Sequence, residues 1–336
     1  MAKKTAIFLC SIFFVSLAIR VLFNVYYVGL DIAPQQSVLL ATDEGKYHKL
    51  AKALLHGEGF GRSAWTPPGF PLMLSGLYRV CGENIASARL AQTVLSSLTV
   101  LLIFFLGLFI YGRGTGFIAA SIASVYPFFV FWTGAVITET LFVFLCVAGI
   151  LSLSYYFKTG KMVWNCCGGL ILGYAALTRP VALTLPVFLL FAYYLFFRDW
   201  KQTIISVVMW GVMFTAVIAP WTIRNYVIFK EIIPITTQSG MNLLNGINSI
   251  VLQDPSKTGE LMYKELPEYK KLPIGDEVMM EEQAGAIAKA YYRTLLKEDK
   301  GLLLRIEWEK LKHFWALYPQ NRGTAAKVIS VLSFGG

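Results

Sequence analysis

The chain has 336 residues, of which 56% are hydrophobic and only 15% are charged, and its formal net charge is +10. The hydrophobic content is far above the soluble average, which excludes an ordinary water-soluble protein. The basic residues are not clustered as a patch with interleaved aromatic side chains, so the positive charge does not indicate a nucleic-acid partner. The composition therefore predicts an integral membrane protein surrounded by lipid.

The apolar residues form long blocks, and a block of about 20 residues is what the core of a bilayer requires. Seven candidate spans are Thr5–Leu30, Ile85–Tyr111, Thr115–Trp132, Thr140–Phe157, Trp164–Leu177, Val181–Phe197 and Thr203–Ile223. The first block lacks a small-residue cleavage site, which favours a retained anchor over a signal peptide. The fifth block is short, so six or eight spans remain alternatives. The predicted fold is an all-α, multi-span transmembrane helix bundle with extracytoplasmic loops and a short, mainly helical C-terminal region.

The distribution of lysine and arginine predicts the orientation, because short cytoplasmic loops carry an excess of both. The basic residues of the N-terminus and of alternate turns fall on one side: Lys3, Lys4, Arg113, Lys158, Lys161, Arg198 and Lys201. A multi-pass protein of the cell membrane with a cytoplasmic N-terminus follows. The opposite, extracytoplasmic side receives the first external loop (31–84), the turns at 135–139 and 178–180, and everything after Arg224.

The first external loop contains adjacent carboxylates, Asp43 and Glu44, followed by Lys46, Tyr47 and His48. The two acids are candidate catalytic residues, and the three residues after them are candidate substrate-binding residues. Two acids beside a Pro/Gly-rich turn suit a site in which one acid acts on the substrate while its neighbour binds. Alternatively, the two acids are the first turn of a helix running to Leu55, where the helix dipole favours negative charge.

Glu139 is a lone carboxylate at the mouth of an otherwise apolar hairpin. An ionisable group at membrane depth is costly unless it has a partner or a task, so Glu139 is a candidate catalytic residue. The alternative is that it caps the fourth span.

Arg89, Arg179 and Arg224 lie near the outer ends of three different spans, and guanidinium groups match phosphate oxygens well. The alternative for each arginine is that it reaches lipid headgroups from within the apolar zone. Arg20 and Asn24 are spaced to share one face of the first helix, which predicts that both point into the bundle. The acidic residues also suit Mg²⁺ or Mn²⁺, but no spacing demands a metal, and no cofactor is predicted with certainty.

The composition becomes polar after the last span, which divides the chain into a transmembrane bundle (1–230) and an extracytoplasmic or interfacial region (231–336). Helices are predicted at 277–297 and 301–318. The second of these carries residues that favour a membrane interface, namely Trp308, Phe314, Trp315 and Tyr318. A final apolar run, Ala325–Phe334, begins like another span and ends early.

Several short motifs follow one another along the chain. In order they are the first span, the Asp-Glu loop, Pro-Pro-Gly-Phe-Pro, Ala-Arg-Leu, Tyr-Pro before Thr-Glu-Thr-Leu-Phe, Leu-Thr-Arg-Pro and Ala-Pro-Trp-Thr-Ile-Arg-Asn. This order resembles the GT-C superfamily of membrane glycosyltransferases. The resemblance covers the chain to about Asn248 and is greatest to the bacterial branch that is similar to protein O-mannosyltransferases and the lipid A aminoarabinose transferase. Relatives usually continue into further spans, whereas this chain ends at Gly336.

The resemblance implies a transferase that moves a sugar from a polyprenyl-phosphate donor to an extracytoplasmic acceptor in contact with membrane lipid. It implies that Asp43 is the catalytic carboxylate, with Glu44 beside it and Glu139 as the second acidic position. Arg179 and Arg224 match basic positions near the donor phosphate. Two other classes remain open: a flippase or transporter for lipid-linked sugars, although no inverted repeat is evident, and a catalytically silent membrane scaffold.

Overall fold

The computed structural model describes residues 2–29, 43–258 and 266–314. All regular elements in these segments are helical, and no β-strand occurs among them. The predicted all-α, multi-span bundle is confirmed. The chain forms two compact units, one of Met1–Gly61 and Pro67–Arg224, the other of Arg62–Thr66 and Asn225–Gly336.

The first unit contains the apolar helices. In chain order they are α1 (Ala2–Phe23, continued by a π-helical turn at Asn24–Val28), α2 (Asp43–Leu55), α3 (Gly69–Cys81), α4 (Ile85–Tyr111), α5 (Arg113–Val125), α6 (Pro127–Phe131), α7 (Glu139–Thr159), α8 (Met162–Thr178), α9 (Leu185–Phe197, preceded by a 3₁₀ turn at Pro180–Thr184) and α10 (Trp200–Phe229). Within the described segments, five stretches are long and apolar enough to cross a bilayer: Lys3–Val28, Ile85–Tyr111, Glu139–Thr159, Pro180–Phe197 and Trp200–Phe229. Helix α8 is apolar but shorter. The chain is therefore a multi-pass membrane protein.

The predicted third span, Thr115–Trp132, is wrong as a single helix, because the structure divides it into α5 and α6. Pro127 has no backbone N–H and cannot continue the hydrogen-bond ladder of α5. The guanidinium of Arg20 donates instead to the carbonyl oxygens of Ser124 (2.9 Å) and Ala123 (3.4 Å). An arginine from α1 thus occupies the position where the broken helix lacks donors.

The polar face of α1 points into the bundle, as predicted. Arg20 and Asn24 are both fully buried. Arg20 also donates to the Ser96 hydroxyl of α4 (2.8 Å), and Asn24 donates to the Thr133 hydroxyl (3.0 Å). Because polar groups buried at membrane depth require partners, these contacts fix the rotation of α1 against its neighbours.

Helix α8 packs closely against α10 through small residues. A Cβ atom added at Gly169 would lie 2.5 Å from the carbonyl oxygen of Trp210, and one at Gly173 would lie 2.8 Å from that of Phe214. Backbones can approach this closely only where side chains are absent. This contact fixes the distance between the middle of α8 and α10.

A separate apolar core joins the α2–α3 hairpin to the ends of the spans. It consists of Ala51, Phe70, Leu74, Tyr78, Ile85, Ala88, Val136, Leu141, Leu145 and Ala175. The Pro-Pro-Gly turn supports the same junction, since a Cβ at Gly69 would lie 2.7–2.8 Å from atoms of Leu177 and Thr178, and the Tyr174 hydroxyl donates to the Gly69 carbonyl (2.8 Å). This packing places the start of α2 beside the starts of α4 and α7 and the end of α8.

The second unit contains α11 (Ser239–Gly246), α12 (Ser249–Gln253), α13 (Glu277–Glu298) and α14 (Lys300–Phe314), so both helices predicted in this region are confirmed over the described residues. Its core includes Met241, Leu244, Ile247, Met280, Ala284, Ala288 and Ile306. Trp308 is exposed on α14. Trp315, Tyr318, the run Ala325–Phe334, the Phe314 side chain and residues 30–42 of the predicted external loop lie outside what the structure describes.

Candidate active site

The two adjacent acids begin α2, as the helix alternative predicted, and their environments differ. The Asp43 side chain is 58% exposed and lies 3.2 Å from the Lys46 ammonium group. Glu44 is fully buried. Successive residues of an α-helix point about 100° apart, because 3.6 residues complete a turn. The helix therefore leaves Asp43 accessible to a substrate and turns Glu44 into the protein.

Glu139 begins α7 and forms an ion pair with Arg179, which follows directly after α8. Arg179 Nη1 lies 2.6 Å from Glu139 Oε1 and 3.1 Å from the Thr138 hydroxyl oxygen, to which it donates. The Arg179 and Glu139 side chains remain 40% and 29% exposed, respectively. The pair is only partly buried, so part of the guanidinium surface stays accessible to an anionic ligand.

Tyr47 connects the start of α2 to this ion pair. Burial raises the pKa of Tyr47 to about 12, with a further increase from the carboxylates of Asp43 and Glu139 and opposing effects from Arg179 and from a hydrogen bond with Thr138. These influences require the groups to lie near the phenol. Since the pKa is raised, Tyr47 keeps its proton at neutral pH and can act as a hydrogen-bond donor.

Asp43, Tyr47, Thr138, Glu139 and Arg179 together form what we call the acid–arginine cluster. It brings together the start of α2, the start of α7 and the end of α8, which are far apart in the sequence. Thr138 was not among the residues singled out from the sequence, although it precedes Glu139 directly. The cluster contains two carboxylates, a guanidinium group and two hydroxyl groups.

A small, partly open pocket borders Glu139. Its lining is mainly apolar, with walls from α4, α6 and α7: Ser96, Thr99, Phe128, Phe129, Trp132, Glu139, Thr140 and Val143. Glu139 therefore contacts both an ion pair and a hydrophobic cavity. We refer to this cavity as the aromatic pocket.

Arg89 has no exposed surface, in contrast to Arg179. Its Nε donates to the carbonyl oxygen of Gly134 (2.9 Å), and its Nη1 donates to that of Gly29 (2.6 Å). Glu44 Oε1 lies 3.5 Å from Arg89 Nη2 and accepts the backbone N–H of Val136 (2.7 Å). These two predicted site residues thus meet each other and the turn that precedes Glu139.

The other predicted binding residues occupy different positions. Lys46 pairs with Asp43. His48 Nδ1 lies 2.8 Å from the hydroxyl oxygen of Tyr78 on α3, and burial, followed by the charge of Lys52, lowers the pKa of His48. This contact joins α2 to α3.

Arg224 lies within α10, because that helix continues to Phe229. Its guanidinium stacks 4.6 Å from the centre of the Trp221 ring and donates to the Gly61 carbonyl. These contacts connect α10 to the glycine-rich segment that follows α2.

Among the described residues, no group of three or more His, Cys, Asp or Glu side chains is arranged to hold a metal ion. Asp43 and Glu139 contribute two carboxylates to the cluster, and oxygen ligands of this kind suit Mg²⁺ or Mn²⁺. Binding of Mg²⁺ or Mn²⁺ at these carboxylates stays a hypothesis.

Residues 66–223 match a sequence model of the dolichyl-phosphate-mannose-protein mannosyltransferase family. The matched segment includes Glu139, Arg179 and Arg89, whereas Asp43 precedes it and Arg224 follows it directly. No curated protein matches the chain at a significant level. The family match supports a membrane glycosyltransferase of the GT-C type.

Proposed function

We propose that this protein transfers a sugar from a polyprenyl-phosphate donor to a hydroxyl group of an extracytoplasmic lipid, glycan or protein. The observation that carries the proposal is the acid–arginine cluster, in which the Arg179 guanidinium lies 2.6 Å from the Glu139 carboxylate and the charges of Arg179, Glu139 and the exposed Asp43 all act on the phenol of Tyr47. The family match over the segment containing Glu139 and Arg179 supports the same chemistry.

Asp43 is the proposed general base. Its carboxylate is exposed, and the residue begins α2 within the acid–arginine cluster. It accepts the proton of the acceptor hydroxyl as that oxygen forms a bond to the anomeric carbon of the sugar. The bond between this carbon and the donor phosphate breaks, and its electron pair leaves with the polyprenyl phosphate. A single displacement inverts the configuration and needs no strong acid, because the phosphate is a weakly basic leaving group.

Arg179 is the proposed phosphate-binding residue, because a guanidinium group stabilises the charge that develops on the departing phosphate. Glu139 and Thr138 hold this guanidinium in place, at 2.6 and 3.1 Å from Nη1. Tyr47 supplies a neutral O–H donor.

The proposal is tested by substituting Asp43→Asn and measuring transfer from radiolabelled polyprenyl-phosphate mannose in membranes that contain endogenous acceptors. Asparagine keeps the size of the side chain but cannot accept a proton near neutral pH. Loss of a general base lowers the rate by about 100- to 10,000-fold. The matched control Glu58→Gln changes an exposed carboxylate of the same loop. Near-normal product from the Asp43→Asn protein at equal expression would contradict the assignment.

The same membranes distinguish the alternatives. A flippase for lipid-linked sugars would move the labelled donor across the bilayer without forming a new glycosidic bond, and a silent scaffold would do neither. Treatment with a chelator, followed by restoration with Mg²⁺ or Mn²⁺, tests whether transfer depends on a divalent metal. Donors carrying other sugars, assayed side by side, identify the preferred sugar.

A further inference from the structure

The turn between α6 and α7, residues 132–138, leads directly into Glu139. Backbone groups of such a turn have no partners within a helix and must be satisfied elsewhere when they are buried. Ala135 and Val136 are fully buried, and Thr138 is nearly so. The partners of this turn therefore determine where Thr138 and Glu139 lie.

Three side chains hold three consecutive residues of the turn. Arg89 Nε donates to the Gly134 carbonyl (2.9 Å), and Gln92 Nε2 donates to the Ala135 carbonyl (2.6 Å). Glu44 Oε1 accepts the Val136 N–H (2.7 Å). The three side chains come from α4 and α2, so the turn is fixed to two other helices.

None of these side chains is accessible to a substrate. Glu44 and Arg89 have no exposed surface, and Gln92 is 1% exposed. Removing two charges from water is unfavourable unless the charges compensate each other and form further hydrogen bonds. Glu44 and Arg89 lie 3.5 Å apart, and each also binds the backbone of the turn. Their positions fit a structural clamp and not direct contact with a sugar or phosphate.

We propose that Glu44, Arg89 and Gln92 are positioning residues that act through the turn. By fixing residues 134–136 they place Thr138 and Glu139, which in turn hold the Arg179 guanidinium. The link to sugar transfer rests on the proposed function, whereas the clamp itself is testable without any substrate. This role differs from the catalytic role predicted for Glu44 and the substrate-binding role predicted for Arg89.

Two substitutions break the clamp in different ways. Gln92→Met keeps a side chain of similar length but removes the donor to the Ala135 carbonyl, and it leaves no buried charge uncompensated. Glu44→Gln removes the charge opposite Arg89 and is the more disruptive change. Glu83→Gln is a matched control, since that carboxylate pairs with Lys52 and His56 at the surface. Even if Glu44→Gln fails to fold, Gln92→Met remains an independent test.

The first measurement is amide hydrogen exchange of the full-length protein in lipid nanodiscs, without donor or acceptor. In the Gln92→Met and Glu44→Gln proteins, peptides covering 133–138 should exchange about ten-fold faster, because local opening no longer has to break the lost hydrogen bond. Peptides from the middle of α4 and α7, and all peptides of the Glu83→Gln protein, should exchange at the wild-type rate. Unchanged exchange at 133–138 in both clamp variants would overturn the proposal.

The second measurement is sugar transfer by the same proteins. Gln92→Met should lower kcat by about ten-fold, corresponding to the loss of one hydrogen bond, while the pH dependence of kcat stays that of the wild type because no proton-accepting group is lost. Asp43→Asn should show the reverse combination, with transfer abolished and exchange at 133–138 unchanged. Faster exchange with normal kcat would overturn the positioning role. Absence of transfer by the wild-type protein would overturn the proposed function, while the exchange result still decides the clamp.

Discussion

At the scale of single residues, the buried arginines lie where the backbone is irregular. Arg20 donates to carbonyl groups at the break between α5 and α6, and Arg89 donates to Gly134 in the turn before α7. Five N–H donors in a fixed planar arrangement make arginine well suited to bind several carbonyl oxygens at once. A buried arginine at membrane depth can therefore serve to bind backbone carbonyl oxygens, and it need not mark a substrate site.

Arg20→Met is expected to destabilise the bundle, because it leaves the carbonyl groups of Ala123 and Ser124 without their donor. The cost is on the order of 1–3 kcal/mol for each buried acceptor that stays unsatisfied. Thermal unfolding of the detergent-solubilised protein measures the loss. The matched control Arg79→Met removes an exposed arginine from α3 and should leave the melting temperature nearly unchanged. Equal melting temperatures for the two variants would contradict this account.

Tyr47→Phe removes the phenolic donor of the acid–arginine cluster and should lower kcat. The pH dependence of transfer near neutral pH should keep its shape, since the pKa of Tyr47 is raised to about 12 and the group does not titrate there.

In the folded state the pKa of Tyr47 lies above its ordinary value of 10.0. The folded protein therefore holds the phenolic proton of Tyr47 more tightly than the unfolded chain does. The contribution of this proton to the free energy of unfolding is lost as the pH rises from 10 towards 12. Alkaline unfolding of the Tyr47→Phe protein should show a smaller decrease, and an identical decrease would contradict the raised pKa.

At the scale of helices, the position of Arg179 depends on how α8 ends. The backbone of the α8 end lies against Gly69, and α8 itself packs through Gly173 onto α10. Cores at native density have no spare room, so a small addition at such a contact is transmitted to the neighbouring element. The Pro-Pro-Gly turn is thereby connected to the cluster although it contributes no side chain to it.

Gly69→Ala is expected to displace the α8 end, because the new Cβ would lie 2.8 Å from the backbone of Leu177 and Thr178. Overpacking of this kind costs about 1–3 kcal/mol, and sugar transfer should fall with the displacement of Arg179. Gly76→Ala is the matched control, since nothing lies within 4 Å of its added Cβ and the residue is inside α3. That change should stabilise the protein by roughly 0.5–1 kcal/mol. Transfer at the wild-type rate in the Gly69→Ala protein would show that the contact can relax without moving the site.

At the scale of the whole molecule, the candidate site residues collect at one end of the first unit. Asp43 begins α2, Glu139 begins α7 and Arg179 follows α8. The start of one span and the end of the next meet there because consecutive spans run in opposite directions. The distribution of basic residues predicts that this end is extracytoplasmic.

Single-cysteine labelling tests this orientation in a background in which the five native cysteines are replaced. Cysteine at position 43 or 179 should react with an impermeant thiol reagent in intact cells, since both native side chains are partly exposed. Cysteine at position 161, in the exposed turn between α7 and α8, should react only after the membrane is opened. Labelling in the opposite order would invert the predicted topology.

Much of the site's composition follows from the sequence, but its internal arrangement does not. The sequence indicates Asp43, Glu139 and Arg179 as chemically unusual residues at the ends of apolar blocks. It does not show that Glu139 and Arg179 form an ion pair, because 40 positions separate them and only packing of α7 against α8 brings them together. Gln92 is absent from the sequence-based set, although it lies one helical turn after Arg89 and therefore on the same face of α4.

The sequence by itself determines the apolar helices, since burial in lipid requires long hydrophobic blocks, and α4 begins and ends where its block does, at Ile85 and Tyr111. It also determines which face of α1 points inward, because an arginine within an apolar span cannot face lipid without a cost in free energy. The tertiary structure alone decides that Arg20 supplies the donors at the Pro127 break, and that Glu44 is enclosed while Asp43 is accessible. The physical reason is that length and hydrophobicity are local properties of the chain, whereas hydrogen-bond partners and exposure depend on contacts between distant segments.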